Sequence, residues 1–435
     1  MTSTSQVPAA LTAAVLGGAL LVTVALTTPW RTSVGPGART RPDPTRDLTA
    51  DEITRAARFG RAMERSGLLG RLVALAVVSA LAFTHGGARL AEAVSGGPSA
   101  GWPWAARAAV GTVAIVLAGA VALLPIELWR ENVSRRYGIS IQSWRLWTVD
   151  WLRTFALQAL AATVGVLIVQ SLARAFPGYW WAIAAMVVAL CAIGLSFVFP
   201  LVIEPLFNSF SPMQAGELRT RLIAMAARDG VSVSDVLVAD ASRRTTALNA
   251  YVSGFGATRR IVVYDTLLQW PDDEVALVVA HELGHAARSD VLHGTAIGAL
   301  GASVATCLLG VALSSAALLR RAGVNGAADT RSVALVIGLV AVIAALSGPC
   351  GALVSRRIET RADVHSLDTT GDPAVFTRAM RQLALANLAN PRPHPLLHTL
   401  FADHPAISER VALARTWADS HGVPVPPDLA VRVPQ

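Results

Sequence analysis

Seven stretches of the chain stay apolar for close to twenty residues each, and the charged residues gather between them. They cover 9–28, 68–85, 108–126, 155–172, 179–203, 294–319 and 333–354. A bilayer core about 30 Å thick takes roughly 20 apolar residues as helix, because in lipid every backbone N–H and C=O must be bonded within its own segment. The pattern therefore predicts seven membrane spans. Arg71, in the first turn of the second, has to reach outward to water along its alkyl stem. Nine of the eleven tryptophans (30, 102, 104, 129, 144, 147, 151, 180 and 181) flank these runs, at the depth where an amphipathic ring is favoured.

Seven crossings place 29–67, 127–154, 204–293 and everything after 355 on one side. The two short loops of that side hold eight and five arginines, against six in the opposite loops together. The positive-inside rule makes that side cytoplasmic and the N-terminus external. "MTSTSQVPAA" has no positive charge and "VALTTPW" no small-x-small cleavage site, so the first run reads as an uncleaved span. The stretch "DPTRDLTADEITRAARFGRAMERSG" has helical charge spacing and reads as a helix at the cytoplasmic surface.

Composition agrees: 53% of the 435 residues are hydrophobic and 15% charged, more apolar than one soluble core requires. The formal charge of +8 comes from scattered arginines without a single lysine. Nothing interleaves them with aromatics, which excludes a nucleic-acid partner. Cys191, Cys307 and Cys350 lie in apolar runs, with no disulfide framework and no cysteine metal cluster. The chain divides into a membrane region with five spans and cytoplasmic loops (1–203), a soluble segment (204–293), the sixth and seventh spans (294–354), a second soluble segment (355–412) and a disordered Pro-rich tail (413–435). An arginine-only, Ala/Val/Gly-rich chain points to a GC-rich bacterium and so to its plasma membrane.

The first soluble segment carries the chemistry. Pro271 and the acids Asp272, Asp273 and Glu274 suit a helix first turn, and an apolar run from Val275 to Ala280 leads into "HELGH". On that helix His281 and His285 project from one face a turn apart and can reach one zinc ion. Glu282 lies beside them as the general base for a water molecule. Gly284 costs about 1 kcal/mol of helix propensity against alanine, which makes sense if backbone or substrate approaches there. A catalytic zinc takes a third protein ligand. After the seventh span, "SRRIETRADVH" sets Glu359 and Asp363 at i, i+4: Glu359 as ligand, Asp363 accepting an N–H from a ligand histidine. His365 is a rival ligand that spacing leaves open.

Four stretches in this order resemble the integral-membrane zinc metalloproteases of the type I CAAX prenyl endopeptidase class. They are "PLFNSFSP" (205–212), "NAYVSGFGATRRIVVYDTLL" (249–268), "HELGH" and "SRRIETRAD", with fainter likeness in "ENVSRRYGIS" and "HPAISER" (404–410). The resemblance implies one zinc per chain on His281, His285 and Glu359, with Glu282 as base. It also implies Asn249 and His404 at the substrate backbone or oxyanion, and Asp363 and Arg410 in support. The expected fold is mainly α: a seven-transmembrane helical bundle with a cytoplasm-facing zinc metalloprotease portion containing a small β segment. Its partners would be the lipid bilayer and a peptide or membrane-protein substrate, prenylated or not, arranged as an extra strand along "RRIVVYDTLL". The same chemistry would also serve a bacterial quality-control protease acting on misfolded, unprenylated membrane proteins. An intramembrane-cleaving protease would carry H-E-x-x-H inside a span, and a structural metal would need a closed four-ligand site.

Overall fold

A computed structural model describes residues 6–430 apart from 33, 35–39, 98 and 100. The chain is mainly α, and among the described residues seven helices are long and apolar enough to cross a membrane. Five fall in the first half: α1 (Gln6–Thr27), α2 (Ala50–Ala82), α4 (Trp104–Arg136), α5 (Trp144–Ala175) and α6 (Trp180–Val198), with the short α3 (His85–Ser95) between α2 and α4. Pro200 has no N–H to donate, and there α6 widens into a π turn (Phe199–Ile203) that runs on into α7 (Glu204–Phe207).

The sixth span stops at Ala312, short of the expected 319, but most of the helices overrun the predicted apolar stretches. Helix α2 is the clearest case, since the expected surface helix and the second span form one rod of 33 residues, about 50 Å long. A capping box starts it: Thr49 Oγ1 accepts from Glu52 N at 3.3 Å, and a Glu52 carboxylate oxygen accepts from Thr49 N at 2.9 Å. Small residues let the rods touch. A Cβ on Gly338 would lie 2.2 Å from Ala82 Cβ, the close approach typical of helix packing in lipid.

After α7 the chain forms β1 (Phe210–Pro212), α8 (Glu217–Arg228), β2 (Asp235–Ala239), β3 (Ala250–Ser253) and β4 (Arg260–Tyr264). The sheet order is β1-β2-β4-β3, with β2 and β4 parallel and the other pairs antiparallel. Strand β4 is thus central. Its backbone groups are taken by β2 and β3, so a peptide cannot add to "RRIVVYDTLL" as the sequence suggested; the sheet's edges are β1 and β3. Val236, Ala250, Ile261 and Val263 bury against α9 (Asp272–Ala287), whose Val275, Ala276, Val279 and Ala280 supply the facing surface.

Helices α10 (Asp290–Ala312), α11 (Ala316–Ala322) and α12 (Val333–Thr370) follow, then α13 (Pro373–Ala386), α14 (Pro395–Phe401) and α15 (Ile407–Ser420). Two of the expected domain borders are absent. Helix α10 starts at Asp290 rather than near 294, and α12 crosses 354–355 unbroken. The tail is also corrected: residues 413–420 belong to α15, where Ala414, Trp417 and Ala418 are buried, and 421–430 are pinned. Arg415 bonds the Asp47 carboxylate at 2.6 and 2.8 Å and donates to the Pro426 and Pro427 carbonyls. Ala430 N reaches Arg46 O at 2.9 Å. Proline-rich composition reads as disorder, but a buried arginine supplies the partners that prolines cannot. Residues 431–435 lie outside the described residues.

Candidate metal centre

Helix α9 opens as its sequence requires. Pro271 is the N-cap, three acids fill the first turn, and eleven of its sixteen residues are buried. That burial leaves His281 and His285 facing α12. Gly284 makes the approach possible: a Cβ there would lie 3.0–3.1 Å from the Cδ2, Cβ and Cγ of His365. The glycine therefore admits a side chain of α12, and not the backbone or substrate anticipated. His365 is spent on that contact and on Asp229, with His365 Nε2 3.1 Å from the carboxylate, so the structure does not bring it to the cage.

The three expected ligands do come together. His281 Nε2 lies 3.3 Å from His285 Nε2 and 3.2 Å from Glu359 Oε2, and His285 Nε2 lies 3.5 Å from Glu359 Oε1. With metal–ligand bonds of about 2.0–2.1 Å, the edge of a zinc tetrahedron is about 3.3–3.4 Å. Two imidazole nitrogens and a carboxylate thus sit at the spacing one ion needs. The remaining ring nitrogens are also fixed. His281 Nδ1 is 3.0 Å from Asp363 Oδ1, and His285 Nδ1 is 2.9 Å from Asp290 Oδ2. Each carboxylate is in turn gripped by an arginine. Arg410 donates to Asp363 at 2.5 and 2.9 Å, and Arg361 donates to Asp290. Such carboxylate–histidine pairs set the tautomer so that Nε2 offers its lone pair. Asp290 is the residue that sequence reasoning missed. Its only signal is an acid at the mouth of an apolar span, five residues after His285.

Charges within the cage favour a cation. Burial opposes protonation of His281, yet hydrogen bonds to Asp363 and Glu359 prevail and hold the ring up to about 10 when protein groups alone surround it. A divalent ion would answer the same carboxylates. Burial pushes the Glu282 carboxyl above its usual value, with the two histidines pulling the other way. Glu282 lines both spaces beside the cage. One, of about 450 Å³, also holds His281, Asn249, His404 and Arg410; the other, about 330 Å³, holds His285, Glu359, Val252 and Phe255. His404 is more than half exposed and reaches in with Nε2 3.3 Å from Glu359 Oε2, steadied through Nδ1 by Asp403 at 2.9 Å. Its protonation is favoured by the Asp403 hydrogen bond. Asn249, at the start of the β3 edge, is exposed on the cavity wall while its carbonyl holds Tyr264 N at 3.0 Å.

Residues 212–418 match Peptidase family M48, and 38–209 match the family described as CAAX prenyl protease N-terminal, five membrane helices. The chain is 29% identical over 291 residues to the uncharacterized metalloprotease YhfN of Bacillus subtilis, covering 66% of this chain and 68% of that protein. It is 24% identical over 307 residues to CAAX prenyl protease 1 of Saccharomyces cerevisiae, covering 66% and 67%. A rice CAAX prenyl protease 1 homolog is 34% identical, but the match spans only 39% of its length. The crystal structure of S. mikatae Ste24p shares the fold with a TM-score of 0.76 at 19% identity, over 92% of this chain and 97% of that one. With both halves matched in order and a cage able to hold a metal, the chain belongs to the CAAX prenyl protease family of M48 peptidases and is a multi-pass membrane metalloendopeptidase.

Proposed function

We propose that the protein is a zinc endopeptidase in which His281, His285 and Glu359 hold the ion and Glu282 is the general base. The observation that carries this reading is the cage itself: three donors at tetrahedral spacing, with both imidazoles oriented from behind by Asp363 and Asp290. Bound zinc would supply Lewis acidity toward water and the scissile carbonyl. Glu282 accepts a proton from the attacking water and returns it to the leaving amine as the C–N bond breaks. Its raised proton affinity suits both transfers. His404 and Asn249 face the same cavity and bind the carbonyl oxygen or the substrate backbone. The substrate pairs with the open edge of β3; Leu248 and Asn249, just before the strand, line one cavity and its Val252 lines the other. That strand pairing fixes the peptide for attack.

The arginine asymmetry supports a cytoplasmic position for this machinery. A further cavity of about 790 Å³, walled by α2, α4, α5 and α12 and ending at Phe401, has a mainly apolar lining. It would receive a prenyl chain or an apolar segment. Cleavage of a prenylated CAAX peptide against an unprenylated membrane segment, read by mass spectrometry, separates CAAX processing from membrane quality control. The central test is metal content beside cleavage. Glu282→Gln keeps one zinc and loses about 10²–10⁴ in rate, and Glu359→Ala loses the zinc. Undiminished cleavage by Glu282→Gln would overturn the assigned base.

A further inference from the structure

A second polar cavity, of about 780 Å³, lies at the other end of the bundle. Helix α10 connects the two places. It begins at Asp290 in the metal cage and ends beside Leu313 in this cavity, about 35 Å away along the helix. The cavity therefore opens at the opposite membrane face. Arg107 comes from the first turn of α4, Arg174 from the last turn of α5 and Trp181 from the first turn of α6.

The cavity is built for an anion that the protein does not provide. Three guanidiniums line it, from Arg107, Arg174 and Arg331, against two carboxylates, Glu92 and Asp329. Asp329 is committed to Arg331, which bonds it at 2.9 and 3.2 Å, and Glu92 is exposed at the rim. Arg174 donates to the Ala328 carbonyl and lies 4.4 Å over the Trp104 ring, so neither contact neutralises it. Arg107 makes no ion pair among the described residues, and its buried Nε has no hydrogen-bond partner among them. Trp181 is 93% buried, with its indole N–H unpartnered in the same sense. An orphaned buried donor of this kind costs free energy unless a ligand satisfies it. The α4 and α6 N-termini, which carry no side-chain caps, add partial positive charge.

We propose that this cavity binds the phosphodiester of a lipid headgroup in the leaflet opposite the metal site, through Arg107, Arg174 and the Trp181 N–H. Two features favour a lipid over free phosphate. The volume far exceeds one phosphate, and Leu313, Leu319 and Pro177 give the wall an apolar part beside its polar one. The flanking tryptophans also set the cavity at the depth of the headgroups.

Native mass spectrometry of the detergent-purified full chain, titrated with phosphatidylglycerol and separately with inorganic phosphate, tests the site. Wild type should hold the lipid, Arg107→Gln should weaken it about tenfold or more, and Trp181→Phe, which keeps the ring, several-fold. Arg107→Lys should recover part of the loss. Zinc content and peptide cleavage, a membrane's thickness away, should not change, and unchanged zinc content reports an intact fold. Equal lipid retention by wild type, Arg107→Gln and Trp181→Phe would overturn the proposal. Inorganic phosphate binding the lipid-free protein as tightly as phosphatidylglycerol does would overturn its assignment to lipid.

Discussion

Replacing Asp290 by Asn should loosen the metal without touching a ligand. The carboxylate lies 2.9 Å from His285 Nδ1, and the two side chains are 10% and 18% exposed. Asparagine keeps the shape and can still accept the N–H, so what disappears is the charge. A hydrogen bond to a charged partner is worth about 1.5–3 kcal/mol net and a neutral one about 1. The variant should therefore lose about 0.5–2 kcal/mol of metal binding, or about 2–30-fold in zinc affinity, overlapping the 10–100-fold typical of such supporting groups. Arg361 loses its partner but is about a quarter exposed and can turn to water. Asp363 is a poorer choice for this test. It is fully buried against Arg410, and breaking that pair would cost about 3–5 kcal/mol of folding. Competition against a chelator of known affinity reads the change directly. Zinc affinity and cleavage both equal to wild type in a folded Asp290→Asn protein would refute the orienting role.

Three more outcomes follow from the same geometry. Burial pushes Glu274 above the usual carboxylate range, so the native state keeps this proton to higher pH than the unfolded chain, and stability falls as pH rises from the ordinary value to the raised one. Glu274→Gln should raise the melting temperature at pH 7 and lose that advantage by about pH 4; a variant less stable at pH 7 would contradict this. Gly284→Ala gains about 1 kcal/mol of helix propensity but presses on His365, at about 1–3 kcal/mol. Net destabilisation with weaker zinc binding is expected, because α12 carries both His365 and Glu359. Arg415→Leu leaves the buried Asp47 carboxylate without an ion-pair partner, at about 3–5 kcal/mol. Limited proteolysis should then cut within 421–430, which wild type protects.

The spans and the H-E-x-x-H helix were legible because each rests on a local rule: hydrophobic run length in one case, side chains a single turn apart in the other. Glu359 with Asp363 was legible for the same reason, as neighbours on one helix face. Asp290 was not. It reaches His285 only because Ser289 takes a left-handed conformation, φ 55° and ψ 37°, which breaks the rod and turns the next helix back on the cage. No residue type announces that turn. Strand order was hidden likewise, since a strand of buried valines can be central or peripheral until its partners are known. The tail misled through composition, because its order depends on Arg415 and Asp47, more than three hundred residues apart.

Helix α12 runs 38 residues without interruption, from the far membrane face to the turns bearing Glu359 and Asp363. Each residue of an α-helix advances about 1.5 Å and rotates about 100°. One residue inserted or deleted between Ser332 and Glu359 would thus swing the carboxylate out of phase with His281 and His285, even if lipid tolerated the altered span. The transmembrane segment acts as a ruler for the chemistry, and its length should be far less free to drift than its composition.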